Sequence, residues 1–172
     1  MKLLLHTCCA PCLIYPLDRL KEKGFEVAGF FYNPNIHPLS EYNKRRQAVE
    51  YLNKTIDIEI IYPEYIPSEF FWAVNLKEEK PERCFICWSL RLKDTARAAK
   101  QNGFDLFSTT LLVSPYQDQD MLKKIGNDIS KEEGIDFYYE DFRPGFRKAG
   151  EQAKSQGIYC QNYCGCIYSM KP

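Results

Sequence analysis

Short apolar runs alternating with segments of helical periodicity constrain this chain more than any other feature. Lys2–His6 is apolar and leads into a loop, and from Cys12 to Lys23 apolar residues return at helical spacing until Gly24. Glu26–Tyr32 reads as a second strand closed by the turn-forming Asn33-Pro34-Asn35, after which Ser40 caps a helix reaching to about Asn53. Asp57–Tyr62 is expected as a third strand, Pro67–Leu76 as a helix, and Cys84–Asn102 as a long helix ended by Gly103. Asp105–Leu112 then gives a fourth strand, Tyr116–Glu133 a helix, Asp136–Phe142 a fifth strand and Gly145–Ser155 a final helix.

Strands that alternate with helices are joined by right-handed crossovers, which makes a mainly parallel sheet with helices on both faces. The expected class is therefore α/β and Rossmann-like, with a cysteine-rich tail from Gln156 to Pro172 that has no strong periodicity. In such sheets the reactive crevice lies beyond the carboxyl ends of the strands. The sequence contains no internal repeat, low-complexity stretch or linker, so residues 1–172 are read as one domain. No run of ~18 apolar residues offers a membrane span. Acidic and basic side chains balance, which neither indicates nor excludes nucleic acid, because a basic patch can be local. The 12 Tyr and 11 Phe suit base stacking, but a Tyr-rich core and surface accounts for them as well.

The eight cysteines fall in three tight clusters: HTCCAPC at 6–12, RCFIC at 83–87 and CQNYCGC at 160–166. Met1-Lys2-Leu3-Leu4-Leu5 is too short for the apolar part of a secretory signal, so a cytoplasmic location is expected, where thiols stay reduced. In that compartment clustered cysteines are more often ligands or catalysts than staples. Cys8 and Cys9 precede a helix with Cys12 at its start, where free N–H groups favour thiolates; the plain alternative is that one or two of them are buried apolar thiols. Cys84 and Cys87 form a CysXXCys at a helix start, a spacing that fits zinc, an iron–sulfur cluster or a redox dithiol. With Cys8 and Cys9 they supply four thiolates, the usual complement of a 4Fe-4S cluster and equally of structural zinc, although an adjacent pair is less usual for zinc. Cys164-Gly165-Cys166 closes as a disulfide only in a small strained ring, which suits a redox pair; it also suits a second metal shared with Cys12 or Cys160. Incidental surface thiols are the remaining reading.

Outside the thiols, His6 ends the first strand and is read as a ligand, a proton donor or, more usually, a residue that orients its loop. His37 lies in a proline-rich loop, Asp18 follows Cys12 on the first helix, and Ser114-Pro115-Tyr116-Gln117 follows the fourth strand on the crevice side. Capping and turn formation are the ordinary explanation for these polar groups.

HTCCAPC, FYNPNIHP, RCFICWSLRL, GFDLFSTTLLVSPYQ and QNYCGCIYS, in this order, together resemble the cobalamin-independent epoxyqueuosine reductases, the QueH family, over nearly the whole chain. The resemblance implies an α/β enzyme that removes the epoxide oxygen of epoxyqueuosine in tRNA to give queuosine. It implies a 4Fe-4S cluster on Cys8, Cys9, Cys84 and Cys87, and a redox-active pair, or ligands of an additional iron, at Cys164 and Cys166. Cys12 matches the last cysteine of the first motif and is a further metal candidate, whereas Cys160 lies outside the motif.

Turning an epoxide into an alkene and water consumes two electrons and two protons, while one such cluster passes one electron at a time. A second redox group is therefore expected, with an electron-donor protein to refill it and a proton donor within hydrogen-bond reach of the oxygen. Tyr116, Asp18 and His6 are the candidates for that donor. An unpaired anticodon-loop base can be splayed onto aromatic side chains, and Arg83, Arg91, Arg143, Arg147 and Lys148 are candidates to hold phosphates, or else an ordinary solvated surface. Two other readings compete: a zinc-stabilised RNA-binding module, and a tRNA sulfur-transfer enzyme. Enzymes of the latter kind commonly need ATP and a glycine-rich phosphate loop, and residues 6–12 contain no glycine.

Overall fold

The computed structural model describes residues 1–170. Strands β1 (Lys2–His6), β2 (Glu26–Phe30), β3 (Ile60–Ile61), β4 (Leu106–Thr109) and β5 (Asp136–Phe137) form one all-parallel sheet in the order β3-β2-β1-β4-β5. The helices are α1 (Ala10–Glu22), α2 (Leu39–Ile56), α3 (Pro67–Val74), α4 (Glu82–Gln101), α5 (Gln119–Glu133) and α6 (Phe146–Ser155). The central strand explains its own position: Leu3, Leu4 and Leu5 are all fully buried, because a parallel strand covered on both faces needs apolar residues in succession. Leu4 stands opposite Ala28 on one side and Phe107 on the other. Truncating such a leucine to alanine costs about 2–5 kcal/mol.

Chain order dictates where the crevice lies. From β1 the chain steps outward through α1, β2, α2 and β3, then crosses over to β4 and steps the other way through α5 to β5. Right-handed crossovers place α1 and α2 on one face and α4 and α5 on the other; α6 lies against α1, and α3 against α4. At Gly145, which leads into α6, a Cβ would sit 1.9 Å from the Tyr15 ring, so this approach of α6 to α1 requires glycine. The strand order reverses between β1 and β4, and the loops leaving these two strands open the crevice.

Several boundaries differ from the sequence expectations. The first helix begins at Ala10, because the Cys9 sulfur accepts from the Cys12 N–H at 3.3 Å and caps it. The second helix starts at Leu39 behind Pro38, so Ser40 lies inside it rather than capping it. The fifth helix starts at Gln119, since the Asp118 carboxylate accepts from the Met121 N–H at 2.9 Å; Tyr116 is left in the preceding turn. Past Thr109 the chain coils into a 3-10 turn, Thr110–Val113, rather than continuing as strand. The strands β3 and β5 keep two residues each, being edges paired on one side only.

Candidate metal centre and active-site crevice

The loop after β1 and the turn after β4 are locked together by one threonine. The Cys8 N–H donates to Thr110 Oγ1 at 3.1 Å, and the Thr110 hydroxyl donates to the Cys8 sulfur at 3.3 Å. The sulfurs of Cys8 and Cys9 are 3.8 Å apart, and those of Cys8, Cys9 and Cys12 all lie within 4.8 Å of one another. Among the described residues this is the one group of three such side chains close enough to share a metal ion. The Cys12 and Cys9 thiols beside it, and then the Thr110 hydroxyl, hold Cys8 well below the usual thiol value, while burial holds Cys9 above it. Thiolate is the form that binds metal, and Cys8 is the thiol of the three whose surroundings favour it.

Cys84 and Cys87 are not part of this trio. They lie on the first turns of α4, and Arg91 follows one turn further along, so 84, 87 and 91 form one stripe. Cys87 is buried with Cys166 against Phe70 and Val74, and burial pushes its thiol up to about 12. Arg91 is only 2% exposed, and its charge acts on Cys87, Cys164 and Cys8. The three clusters thus come together although they are far apart in sequence, Cys87 packing with Cys166 and Gln161 of the tail reaching the Cys9 sulfur. A cavity of about 490 Å³ is lined by Cys84, Trp88, Tyr116, Cys164 and Cys166. Another, of about 620 Å³, is lined by Cys12, Tyr116, Arg147, Cys160 and Gln161.

The cysteine tail is held by a clamp that no local pattern announces. Arg45 on α2 is buried, pairs with Glu41 at 2.7 Å, and donates to the carbonyls of Cys164 and Tyr163, both at 3.0 Å. The Tyr159 hydroxyl donates to the same Glu41 at 2.7 Å. From the FYNPNIHP segment the His37 N–H donates to the Gly165 carbonyl at 2.8 Å, and His37 Nδ1 accepts from the Ile167 N–H at 3.3 Å. The Tyr163 hydroxyl donates to the His37 carbonyl. Gly165 has φ +126°, and a Cβ there would come within 3.0 Å of Arg45 Nη1 and 3.1 Å of Ile36. Further along the tail, the Gln161 amide donates to the Cys9 sulfur at 2.9 Å. Thr110, Arg45, Glu41, Tyr159, Tyr163 and Gln161 were all missed in the sequence, as was the central place of Arg91.

The other expected residues sort by exposure. His6 is fully buried: Nε2 donates to the Tyr32 carbonyl at 3.1 Å, and Nδ1 accepts from the Thr109 hydroxyl at 3.0 Å, which itself accepts from the Leu111 N–H. Burial lowers its pKa to about 4, so it is neutral with both nitrogens engaged; it fixes the ends of β1, β2 and β4 and holds no imidazolium proton. Asp18 is exposed on α1, six residues beyond Cys12, and lines neither cavity. Tyr116 is 82% exposed, with its ring edge-on to Phe146, at the rim shared by both cavities. Arg83 and Arg91, expected as surface cations, are buried instead: Arg83 donates to the Glu78 carbonyl and lies over the Tyr168 ring. Arg143 and Arg147 are exposed but paired with Asp141 and Glu151, and Lys148 is exposed. Cys160 lines the cavity it shares with Cys12, its sulfur near the Ile158 carbonyl. Among the described residues no helix is long and apolar enough to cross a membrane.

A parallel α/β sheet carrying thiols from three distant segments at its switch point defines a class, the Rossmann-like proteins with a cysteine centre. Within that class the chain belongs to the epoxyqueuosine reductase QueH family, whose profile matches residues 3–172. It is 39% identical to the epoxyqueuosine reductase QueH of Thermotoga maritima over 97% of this chain and 89% of that protein. To the protein of the same name from Dehalococcoides mccartyi it is 38% identical, over 98% and 92% of the two chains. Among solved structures, the chain resembles a predicted subunit of tRNA methyltransferase from Methanocaldococcus jannaschii, with TM-score 0.54, 10% identity, and 88% and 76% of the two chains covered. It also resembles a deacetylase in the biosynthesis pathway of teicoplanin, with TM-score 0.52, 10% identity, and 91% and 85% covered. At such identity the likeness concerns the fold alone.

Proposed function

We propose that this protein is an epoxyqueuosine reductase that removes the epoxide oxygen of epoxyqueuosine in tRNA, in the cytoplasm, with electrons from a donor protein. The observation that carries the proposal is the meeting of all three cysteine clusters at the switch point, in a chain of this family. In this reading Cys8, Cys9, Cys84 and Cys87 hold a 4Fe-4S cluster. What supports it is the chemistry of the donors: two thiols adjacent after β1, two more on the first turns of α4, the buried Arg91 beside Cys87, and a Cys8 thiol held well below its usual value. When bound, such a cluster supplies electrons one at a time.

The remaining steps fall to the chain itself. Oxidation of Cys164 and Cys166 to a disulfide releases two electrons and two protons, which is what conversion of an epoxide to an alkene and water takes up. The Arg45 and His37 clamp holds that pair at the cavity wall beside Cys84. The exposed Tyr116 ring, at the cavity rim, is positioned to meet an unstacked base, and its hydroxyl to reach the epoxide oxygen. Asp18 faces solvent along α1, which leaves Tyr116 the better supported of the two candidate acids.

One observation favours a second occupant for the first motif. A single tetrahedral ion with metal–sulfur bonds of ~2.3 Å separates its ligands by about 3.8 Å, and the Cys8–Cys9 distance is 3.8 Å. Cys12 would then be its third ligand. Iron and acid-labile sulfide analysis of anaerobically purified protein, with a visible spectrum, separates the readings. About four irons and four sulfides per chain support the cluster; iron beyond the sulfide count adds an extra ion. Zinc with no sulfide and no visible absorption overturns the redox reading in favour of a binding module.

A further inference from the structure

The buried arginines of this protein are not alike. Arg45 is matched by the Glu41 carboxylate at 2.7 Å. Arg91 is as deeply buried, yet among the described residues it has no carboxylate partner: its Nε donates to the Cys87 carbonyl at 3.2 Å, and its Nη2 has no hydrogen-bond partner at all. A guanidinium cannot escape burial by losing its proton. An uncompensated buried charge costs several kcal/mol, so a fold that keeps one is matched to an anion. The direct neighbour of Arg91 is Cys87, one turn before it on α4, which is buried with Cys166 of the tail, and the Arg91 charge reaches Cys164 and Cys8 as well. As thiols these groups are neutral; metal binding converts Cys8 and Cys87 to thiolates and gathers negative charge beside the guanidinium.

We propose that Arg91 is the charge-compensating residue of the thiolate centre, left without a carboxylate so that its full charge offsets the anionic metal-bound thiolates and makes the centre easier to reduce. The inference rests on the iron–sulfur reading above. Each electron added to a thiolate-held cluster adds negative charge, and net charge and hydrogen bonds to the sulfurs are what set its potential. A fixed cation stabilises the reduced form more than the oxidised form. Arg91 is therefore a positioning and electrostatic residue, not a catalytic one.

The test uses anaerobically loaded wild type, Arg91→Lys and Arg91→Met, with iron and sulfide analysis and a potentiometric titration of each. Arg91→Met is expected to load normally and to reduce at a more negative potential, whereas Arg91→Lys stays close to wild type because the charge is kept. The metal-free Arg91→Met protein should melt at or above the temperature of the metal-free wild type, since an unmatched buried charge has been removed; a residue needed only for folding would do the reverse. Full loading of Arg91→Met at an unchanged potential overturns the inference and leaves the cluster reading standing. If Arg91→Met does not fold, Arg91→Lys decides: a potential near wild type supports the inference, and a clearly more negative one overturns it. Wild type without iron–sulfur absorption overturns both.

Discussion

Arg45 on α2 donates through Nη1 to the carbonyl of Cys164 at 3.0 Å, joining the second helix to a residue 119 positions later in the chain. The contact holds the backbone of the cysteine pair rather than its sulfurs, so it governs where Cys164 and Cys166 stand without touching the first motif. Gly165→Ala places a methyl group against Arg45 Nη1 and Ile36 on a backbone with φ +126°. That variant should keep its iron and lose most of its turnover. Arg45→Ala leaves the buried Glu41 carboxylate without its counter-charge and with only the Tyr159 hydroxyl as partner, which should lower stability by about 3–5 kcal/mol. Urea unfolding and single-turnover assays measure the two effects, and full turnover in Gly165→Ala would remove the clamp from the mechanism.

Cysteine substitutions divide the thiols by role. Cys9→Ala and Cys84→Ala should each bleach the visible absorption and lower the iron content. Cys164→Ser should keep most of the absorption while turnover is lost, because in the proposed mechanism the tail pair donates electrons beside the cluster rather than building it. Absorption spectra and iron analysis of the purified variants check this division. Loss of the cluster in Cys164→Ser would move that thiol among its ligands.

The His6 environment predicts a pH dependence of stability. Burial lowers its folded pKa to about 4, whereas the unfolded chain takes up the proton near 6.5. The unfolded state binds more protons between these values, so the stabilisation is complete above pH 6.5 and is lost as pH falls toward 4. The shift corresponds to about 3 kcal/mol. Melting curves of metal-free protein across this window should show the loss, and His6→Asn should flatten the slope. An equal slope in the variant would assign the effect to other groups.

Tyr116 offers a choice between ring and hydroxyl. Its 82% exposure at the cavity rim suits stacking of a base, worth about 1–3 kcal/mol. Tyr116→Ala should therefore weaken tRNA binding about tenfold or more, and Tyr116→Phe should bind normally. Turnover of the bound Tyr116→Phe complex reports on the hydroxyl alone: a drop of two orders of magnitude marks it as the proton donor, and an unchanged rate leaves it a stacking residue.

The order of strands and helices was legible because each apolar run is bounded by turn residues, as at Gly24, Asn33-Pro34-Asn35 and Gly103. The candidate thiols were legible as clusters in the chain. Their mutual arrangement was not, because it is made by long-range contacts: Thr110 to Cys8, His37 to Gly165, Gln161 to Cys9. The pair Glu41 and Arg45 has the spacing of an ordinary surface ion pair on a helix, and nothing local shows that the tail buries it. Arg91 did carry a signal, since it continues the helical stripe begun by Cys84 and Cys87. Edge strands such as Asp136–Phe137 were overextended because the apolar pattern runs on past the last ladder bond, Tyr138 N–H to the Phe107 carbonyl.

The most direct measurement of the central claim is mass spectrometry of nucleosides digested from tRNA after incubation with the anaerobically loaded, reduced protein. The substrate is tRNA carrying epoxyqueuosine, with a strong one-electron donor and without cobalamin or ATP. The account predicts a product lighter by one oxygen atom, formed with two electrons consumed per product and unaffected by added ATP. Unchanged epoxyqueuosine in the presence of a fully loaded and reduced centre would contradict it.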